Sequence, residues 1–486
     1  MTGTAPPLLG RAALRRLPPE RRPLVDPAAL RTRVVHLGLG AFHRAHQALY
    51  TERAAADTGE PWGIAAVAPR SLDTVRALRA QDHLYSLTEL HPEGAGPRVV
   101  GALTEALAMR PDAARVDALL ADPEVTVVTL TVTEKGYHRA TDPARTPALD
   151  TTDPAVAADL AAPDTGRLTT VVGRLAAGLA ARMRAGAAPI TVVSCDNMAD
   201  NGAVLAAVVR DFVAASRWPD RATVLDRLAE AVTFPATVVD RIVPATTAAD
   251  RAAAAAALGV WDEAAVAGEP YLAWVLQDAF AAARPRWEAG GALLVPDPAP
   301  HQLTKLRLLN GSHSALAYLG LAAGHTTIDE AMATDWGAPL VLALCAEVAP
   351  TLPPEGPEPA AYAADLVTRF RNPAVGHRLD QIGSDGSLKL PERWLPVLRR
   401  LRATGTPTPL LELALAGWAH ATRPPQPAPD PAAAALADCW RPAAPAAATV
   451  AALLRTIGAP DLAEDTALTT AVAARLPAIA AGRVEL

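Results

Sequence analysis

Cysteine is scarce. Cys195, Cys345 and Cys439 stand alone along 486 residues, without the even count or the density of a secreted disulfide framework, and the expected compartment is a reducing, cytoplasmic one. No window approaches the roughly 18 apolar residues of a membrane-spanning helix, and the alanine run from Ala252 to Ala257 stops at Gly259 and a charged segment. Arg11, Arg15, Arg16, Arg21 and Arg22 crowd the start, but Pro18, Pro19 and Glu20 interrupt them and no apolar stretch accompanies them. A secretory leader is therefore not expected, and residues 1–30 read as an exposed lead-in arm. Excess positive charge is missing too: 45 basic against 51 acidic residues give a net charge of -6, which supplies no field to gather a nucleic-acid backbone or an anionic lipid surface. Neither nucleic acid nor membrane is an expected partner. The oligomeric state is left open, a monomer included.

What is present is an ordinary globular composition, half apolar and a fifth charged, in a chain long enough for two domains. The β-branched run Arg33 to Leu37 stops at Gly38-Leu-Gly40 and leads into a segment, 43–56, that can wind as a helix. Further apolar runs at 63–68, 125–132, 190–194 and 238–243 alternate with helical segments, and such alternation implies a mostly parallel sheet. Beyond about Pro300 the strand-like runs thin out and amphipathic helical patterns dominate. The expected architecture is α/β: a Rossmann-type domain over 1–295, followed by a mainly α-helical domain over 296–486. The proline-rich stretches 352–360 and 422–431 read as surface loops.

Two places carry chemistry. Gly38-x-Gly40 between a strand and a helix lets the backbone approach a pyrophosphate, although the usual third glycine position holds His43. Asp73, after the second strand, is placed to accept from an adenosine ribose and to repel a 2′-phosphate, with Arg70 three residues earlier acting against it. In Lys305-Leu-Arg-Leu-Leu-Asn310-Gly-Ser-His313, an α-helix at about 100° per residue would set Lys305, His313 and Asn310 at roughly 0°, 80° and 140°, on one face. Polar groups among Leu306, Leu308 and Leu309 need partners, because burying them unpaired costs a few kcal/mol each.

Five blocks, Gly38-Leu-Gly-Ala-Phe-His-Arg-Ala-His46, Thr131-Val-Thr-Glu-Lys-Gly-Tyr137, Ser194-Cys-Asp-Asn197, Phe234-Pro-Ala-Thr-Val-Val-Asp-Arg241 and Lys305-x4-Asn310-x2-His313, follow one another in this order. Their order and spacing resemble the mannitol dehydrogenase family, the polyol-specific long-chain dehydrogenases, over nearly the whole chain. The resemblance implies NAD as cofactor, held around Gly38, Gly40, Ala41, Phe42, Asp73 and Asn197. It implies Lys305 as general acid/base, Asn197 and Asn310 as hydrogen-bond donors to the reacting oxygen, His313 as an orienting group, and Asp240 and Lys389 in the same pocket. The residue types suit the reaction: hydride removal from a secondary alcohol leaves a developing alkoxide that needs a proton acceptor and preorganised donors. A lysine near its reference pKa of about 10.4 is a poor base, so the scheme requires desolvation or a neighbouring cation. Many alcohol dehydrogenases use zinc instead, but no cysteine cluster has ligand spacing. His43 and His46 are the one tempting pair, with no third ligand beside them, and the expectation is packing and no metal.

Within the family, mannitol-specific members typically show Gly where Lys135 stands and Arg where Gln381 stands. Thr133 to Tyr137 and His377 to Lys389 resemble the fructuronate reductase (mannonate oxidoreductase) branch. A substrate carboxylate entering a closed pocket needs a cation or several donors; Lys135, Arg378 and Lys389 are the candidates, and the role is expected to fall chiefly to Lys135, on the turn after the strand 125–132. Gln302, three residues before Lys305, stands where the family often has Glu. The expected activity is NAD-dependent interconversion of D-fructuronate and D-mannonate on a small sugar acid or polyol. Mannitol 2-dehydrogenase activity is the alternative, and a non-catalytic nucleotide-binding sensor the alternative of another class.

Overall fold

The computed structural model describes residues 6–94, 96–140, 148–425, 428–441 and 444–486 and divides into two units, Met1–Pro298 and Ala299–Leu486. In the first, the β-branched run at the start becomes β1 (Arg31–Leu37). Val34, Val35 and Leu37 are fully buried, as expected of a strand covered on both faces, which reads as a continuous apolar run rather than an alternation. With β2 (Trp62–Ala68), β3 (Leu103–Ala108), β4 (Val127–Leu130), β5 (Ile190–Ser194) and β6 (Val232–Thr233) it forms a six-stranded sheet of order β3-β2-β1-β4-β5-β6. Every pairing in it is parallel. This is the doubly wound order, which reverses between β1 and β4, and ligands bind outside the carboxyl ends of the strands at that switch point.

Three expectations are corrected here. The run 238–243 does not join this sheet: Thr237–Asp240 pairs antiparallel with Ala273–Gln277 in a separate three-stranded sheet. A short buried apolar run cannot distinguish parallel from antiparallel pairing. The helix expected over 43–56 is two, α1 (Ala41–Ala45) and α2 (Gln47–Thr58), separated by His46 at φ -131° and ψ -89°. The His46 imidazole Nε2 lies 2.9 Å from the Ala273 carbonyl oxygen and its ring stacks on Phe42, contacts from distant sequence that hold the break. Nor are residues 6–30 an exposed arm. Leu9 and Leu17 are buried with Leu84, Val99, Leu258 and Val260, and Leu8 bridges to Trp261.

Among its described residues the second unit contains helices and no β-strand. At its centre runs α5 (Gly311–Ala322), buried continuously from Gly311 to Gly320, the pattern of a helix surrounded by others. Gly320 and Gly417 mark close approaches, since a Cβ on either would meet Leu379 and Leu319 respectively. Among the described residues no helix is long and apolar enough to cross a membrane.

Candidate active site

The turn after β1 is fixed by sterics. Gly38 has φ +120°, and a Cβ there would lie 2.0 Å from the Thr131 carbonyl oxygen at the end of β4, so only glycine fits. The Thr131 hydroxyl donates to the Gly38 carbonyl at 2.9 Å, and the Gly40 amide donates to the same carbonyl at 2.6 Å. Gly40 is different: a Cβ on it would meet nothing nearer than the Gly38 oxygen at 3.8 Å. Its open side faces a groove of about 270 Å³, lined by Gly38, Gly40, Arg70, Ser71, Thr131 and Thr133 among others. The groove sits at the ends of β1, β2 and β4, and the open glycine turn is a cradle that fits a dinucleotide backbone.

Asp73 is not among the residues lining this groove. It belongs to the first turn of α3 (Leu72–Ala80), its side chain is 92% exposed, and it pairs with Arg76 at 3.0 Å. Arg70 and Ser71 occupy the groove wall after β2 instead. His43, in the third glycine position, stacks on His36 with centroids 3.4 Å apart. Burial pushes the His36 pKa down to about 3, and burial, then His36 and Arg44, holds His43 well below the usual histidine range. The pair packs neutral beneath the glycine turn. Among the described residues no three His, Cys, Asp or Glu side chains are grouped to hold a metal ion.

Sequence reasoning passed over Asp196. Its buried carboxylate accepts from the Val132 amide at 3.0 Å, the Thr133 amide at 2.8 Å and the Tyr137 hydroxyl at 2.7 Å, tying the turn after β4 to the turn after β5. Thr133, held this way, has φ +67°, a conformation that persists only where its surroundings enforce it. Burial raises the Asp196 pKa. Asn197 follows it, exposed, and Lys135 is exposed on the single turn Glu134–Tyr137. Asp240, buried, closes the strand Thr237–Asp240.

In the second unit the segment with Lys305 departs from the α-helix expected. Lys305–Asn310 is a π-helical turn between α4 (Ala299–Thr304) and α5. Its i→i+5 bonding brings Lys305 and Asn310 toward one side, where α-helical geometry would separate them by about 140°. Two side chains support the junction with α5: Arg393 Nη1 donates to the Asn310 carbonyl at 3.2 Å and to Ser314 Oγ at 2.7 Å, and Trp394 Nε1 donates to the Gly311 carbonyl at 3.2 Å. Lys305, Gln302 and Asn310 are half-buried.

His313, one turn into α5, is buried with its ring stacked on Phe370 at 4.9 Å and edge-on to His377 at 4.8 Å. Its Nε2 has no hydrogen-bond partner among the described residues. Burial first, then His377, Arg393, Arg369 and Lys389, hold its pKa well below the usual range. Lys389, on the helix Gly386–Arg393, donates to the Ser384 carbonyl at 2.6 Å and the Ile382 carbonyl at 3.2 Å, and burial and Arg393 lower its pKa. Lys389 and His313 are thus brought into one cluster. Arg378 is not: half-exposed, it donates twice to Asp380, at 3.0 and 2.6 Å, and Gln381 is exposed beside it. Phe370, Arg369 and Arg393 escape a motif-based reading, and His377 enters it only as the first residue of the block 377–389. One signal does point to this region. Of 45 basic residues only three, Lys135, Lys305 and Lys389, are lysines. Arginine keeps its proton in proteins whereas lysine gives it up when buried, so lysine in an arginine-dominated chain marks positions where the substitution is not neutral.

Residues 32–289 match the mannitol dehydrogenase Rossmann domain and residues 297–480 the mannitol dehydrogenase C-terminal domain. The D-mannonate oxidoreductase of Escherichia coli (strain K12) is 40% identical over 413 residues, 83% of this chain and 83% of its own. A mannitol 2-dehydrogenase of Pyrenophora tritici-repentis is 37% identical over 393 residues, 79% of this chain and 68% of its own. The Pseudomonas fluorescens mannitol 2-dehydrogenase, solved as a ternary complex with NAD and D-mannitol, superposes with a TM-score of 0.78 at 33% identity, covering 97% of this chain and 96% of its own. Matched in both domains, the chain belongs to the mannitol dehydrogenase family and is an oxidoreductase.

Proposed function

We propose that the chain interconverts D-fructuronate and D-mannonate. The cofactor is NAD, held at the glycine turn Gly38–Gly40 and along the backbone of Ala41 and Phe42. When bound, it supplies the acceptor or donor of the hydride exchanged at the carbon that bears the ketone in fructuronate. Lys305 takes the proton of the hydroxyl on that carbon as the carbonyl forms and returns it to the oxygen in the reverse direction. The Asn310 amide donates to that oxygen as its charge develops. His313, kept neutral, presents the unpartnered Nε2 to a substrate hydroxyl.

The observation that favours a sugar acid over a neutral polyol is the charge around His313. The charged groups that act on it most strongly are basic, Arg393, Arg369 and Lys389, beside His377. Asp385 and Asp430 act on Lys389 and Glu392 acts on Arg393, and within this ring of cations a substrate carboxylate finds charge-assisted donors that a neutral polyol end does not need. Lys135 is exposed, so a contact there would be screened by solvent, and Lys389 takes the larger share of carboxylate recognition. The test is NADH oxidation followed by absorbance with D-fructuronate and D-fructose, on the wild type and on Lys305→Ala. The expected result is preference for fructuronate, with turnover lowered in the variant by about two to four orders of magnitude. Equal efficiency on both sugars, or a fully active variant, would overturn the proposal.

A further inference from the structure

We infer that the dinucleotide groove also accepts NADP, with Arg70 and Ser71 receiving the 2′-phosphate. This rests on the reading that a dinucleotide occupies the groove at the glycine turn. In a doubly wound sheet the adenosine ribose lies at the carboxyl end of the second strand, where an acidic residue favours the free 2′-hydroxyl and an arginine accommodates a phosphate. At the end of β2 the groove wall is Ala68, Pro69, Arg70 and Ser71. Among the described residues that line the groove none is acidic, and the one that carries a full charge is Arg70. Its side chain is exposed and makes no ion pair or hydrogen bond with any described residue, so its donors are available. The Ser71 hydroxyl lies 2.9 Å from Thr74 Oγ1 at the start of α3 and can donate to a phosphate oxygen while accepting from Thr74.

The carboxylate that sequence position singles out does not oppose this. Asp73 projects into solvent, is paired with Arg76, and lies outside the groove lining. Its charge is therefore partly compensated and largely screened. The fixed charge at the ribose end of the groove is positive, and a 2′-phosphate meets a donor pair rather than a repelling carboxylate.

The test is equilibrium binding of NAD and NADP by titration calorimetry, without substrate, on the wild type, Arg70→Ala and Asp73→Ala. NADP is expected to bind the wild type within about tenfold of NAD. Arg70→Ala is expected to shift the ratio of the two affinities by about ten- to a hundredfold against NADP, the worth of a charge-assisted contact, and Asp73→Ala to leave the ratio where it was. Binding of NAD with no measurable binding of NADP would overturn the inference, as would a ratio that moves with Asp73→Ala and not with Arg70→Ala. Failure of both nucleotides to bind would overturn the underlying reading of the groove, and the inference with it.

Discussion

Gly38 and Gly40 are two residues apart and do different work. At Gly38 a side chain collides with the backbone of Thr131 and the left-handed φ of +120° adds strain, so the residue closes the turn against β4. At Gly40, with φ -96° and ψ 179°, any L-residue fits the backbone and the protein leaves room for a Cβ. Gly38→Ala should therefore cost about 3 kcal/mol or more of folding stability, read from denaturant midpoints. Gly40→Ala should stay within about 1 kcal/mol of the wild type while weakening NAD binding at least roughly tenfold, because its Cβ enters the space the pyrophosphate approaches. If Gly40→Ala unfolds the protein, or binds NAD normally, the division of roles is wrong. Sequence alone assigns both glycines to the cofactor. The distinction appears only when the strand next to them is known.

At the level of elements, these parallel strands are legible because β1 from Val34 onward, β2, β4 and β5 are buried and mostly apolar. The short strand β6 and the antiparallel pair Thr237–Asp240 with Ala273–Gln277 are not, since two to five residues carry too little pattern to fix a partner. The π-helical turn was hidden for another reason. Leu306, Leu308 and Leu309 satisfy an α-helical stripe as well as a π-helical one, and what sustains the irregular turn is Arg393 and Trp394, more than 80 residues away in sequence. Lys305, Asn310 and His313 could thus be named from the chain, whereas the geometry that brings the first two together could not. The same holds for Asp73: its place after the second strand is plain in the sequence, and its outward orientation is set by the start of α3 and by Arg76.

Across the whole molecule, several histidines are buried in the neutral form. His36, His43 and His313 all have pKa values lowered chiefly by burial. From pH 6.5 downward the unfolded chain takes up protons that the folded chain refuses, so the stability these groups contribute is present above that pH and lost as pH falls. Each histidine adds a slope of up to about 1.4 kcal/mol per pH unit. Glu52, Asp196 and Glu347, whose carboxyls burial raises, act in the opposite sense, so the clean comparison is between the wild type and His43→Phe, which keeps the stack on His36 and removes one titrating group. Denaturation midpoints between pH 7.5 and 5 should fall less steeply in the variant, and parallel slopes would show that His43 takes up its proton equally in the folded and unfolded chain.

The chemistry proposed for the molecule depends most on an anionic substrate meeting the basic cluster of the second unit. Its most direct test is kcat/KM for D-fructuronate and D-fructose, with NADH, on the wild type and on Lys389→Met. A charge-assisted contact to the carboxylate is worth about 1.5 to 3 kcal/mol, so the substitution should lower the ratio of fructuronate to fructose efficiency by roughly ten- to a hundredfold. A folding defect would lower both activities and leave the ratio intact. If the wild type already reduces fructose as well as fructuronate, or the ratio does not move in Lys389→Met, the basic cluster does not read a carboxylate and the enzyme is a polyol dehydrogenase.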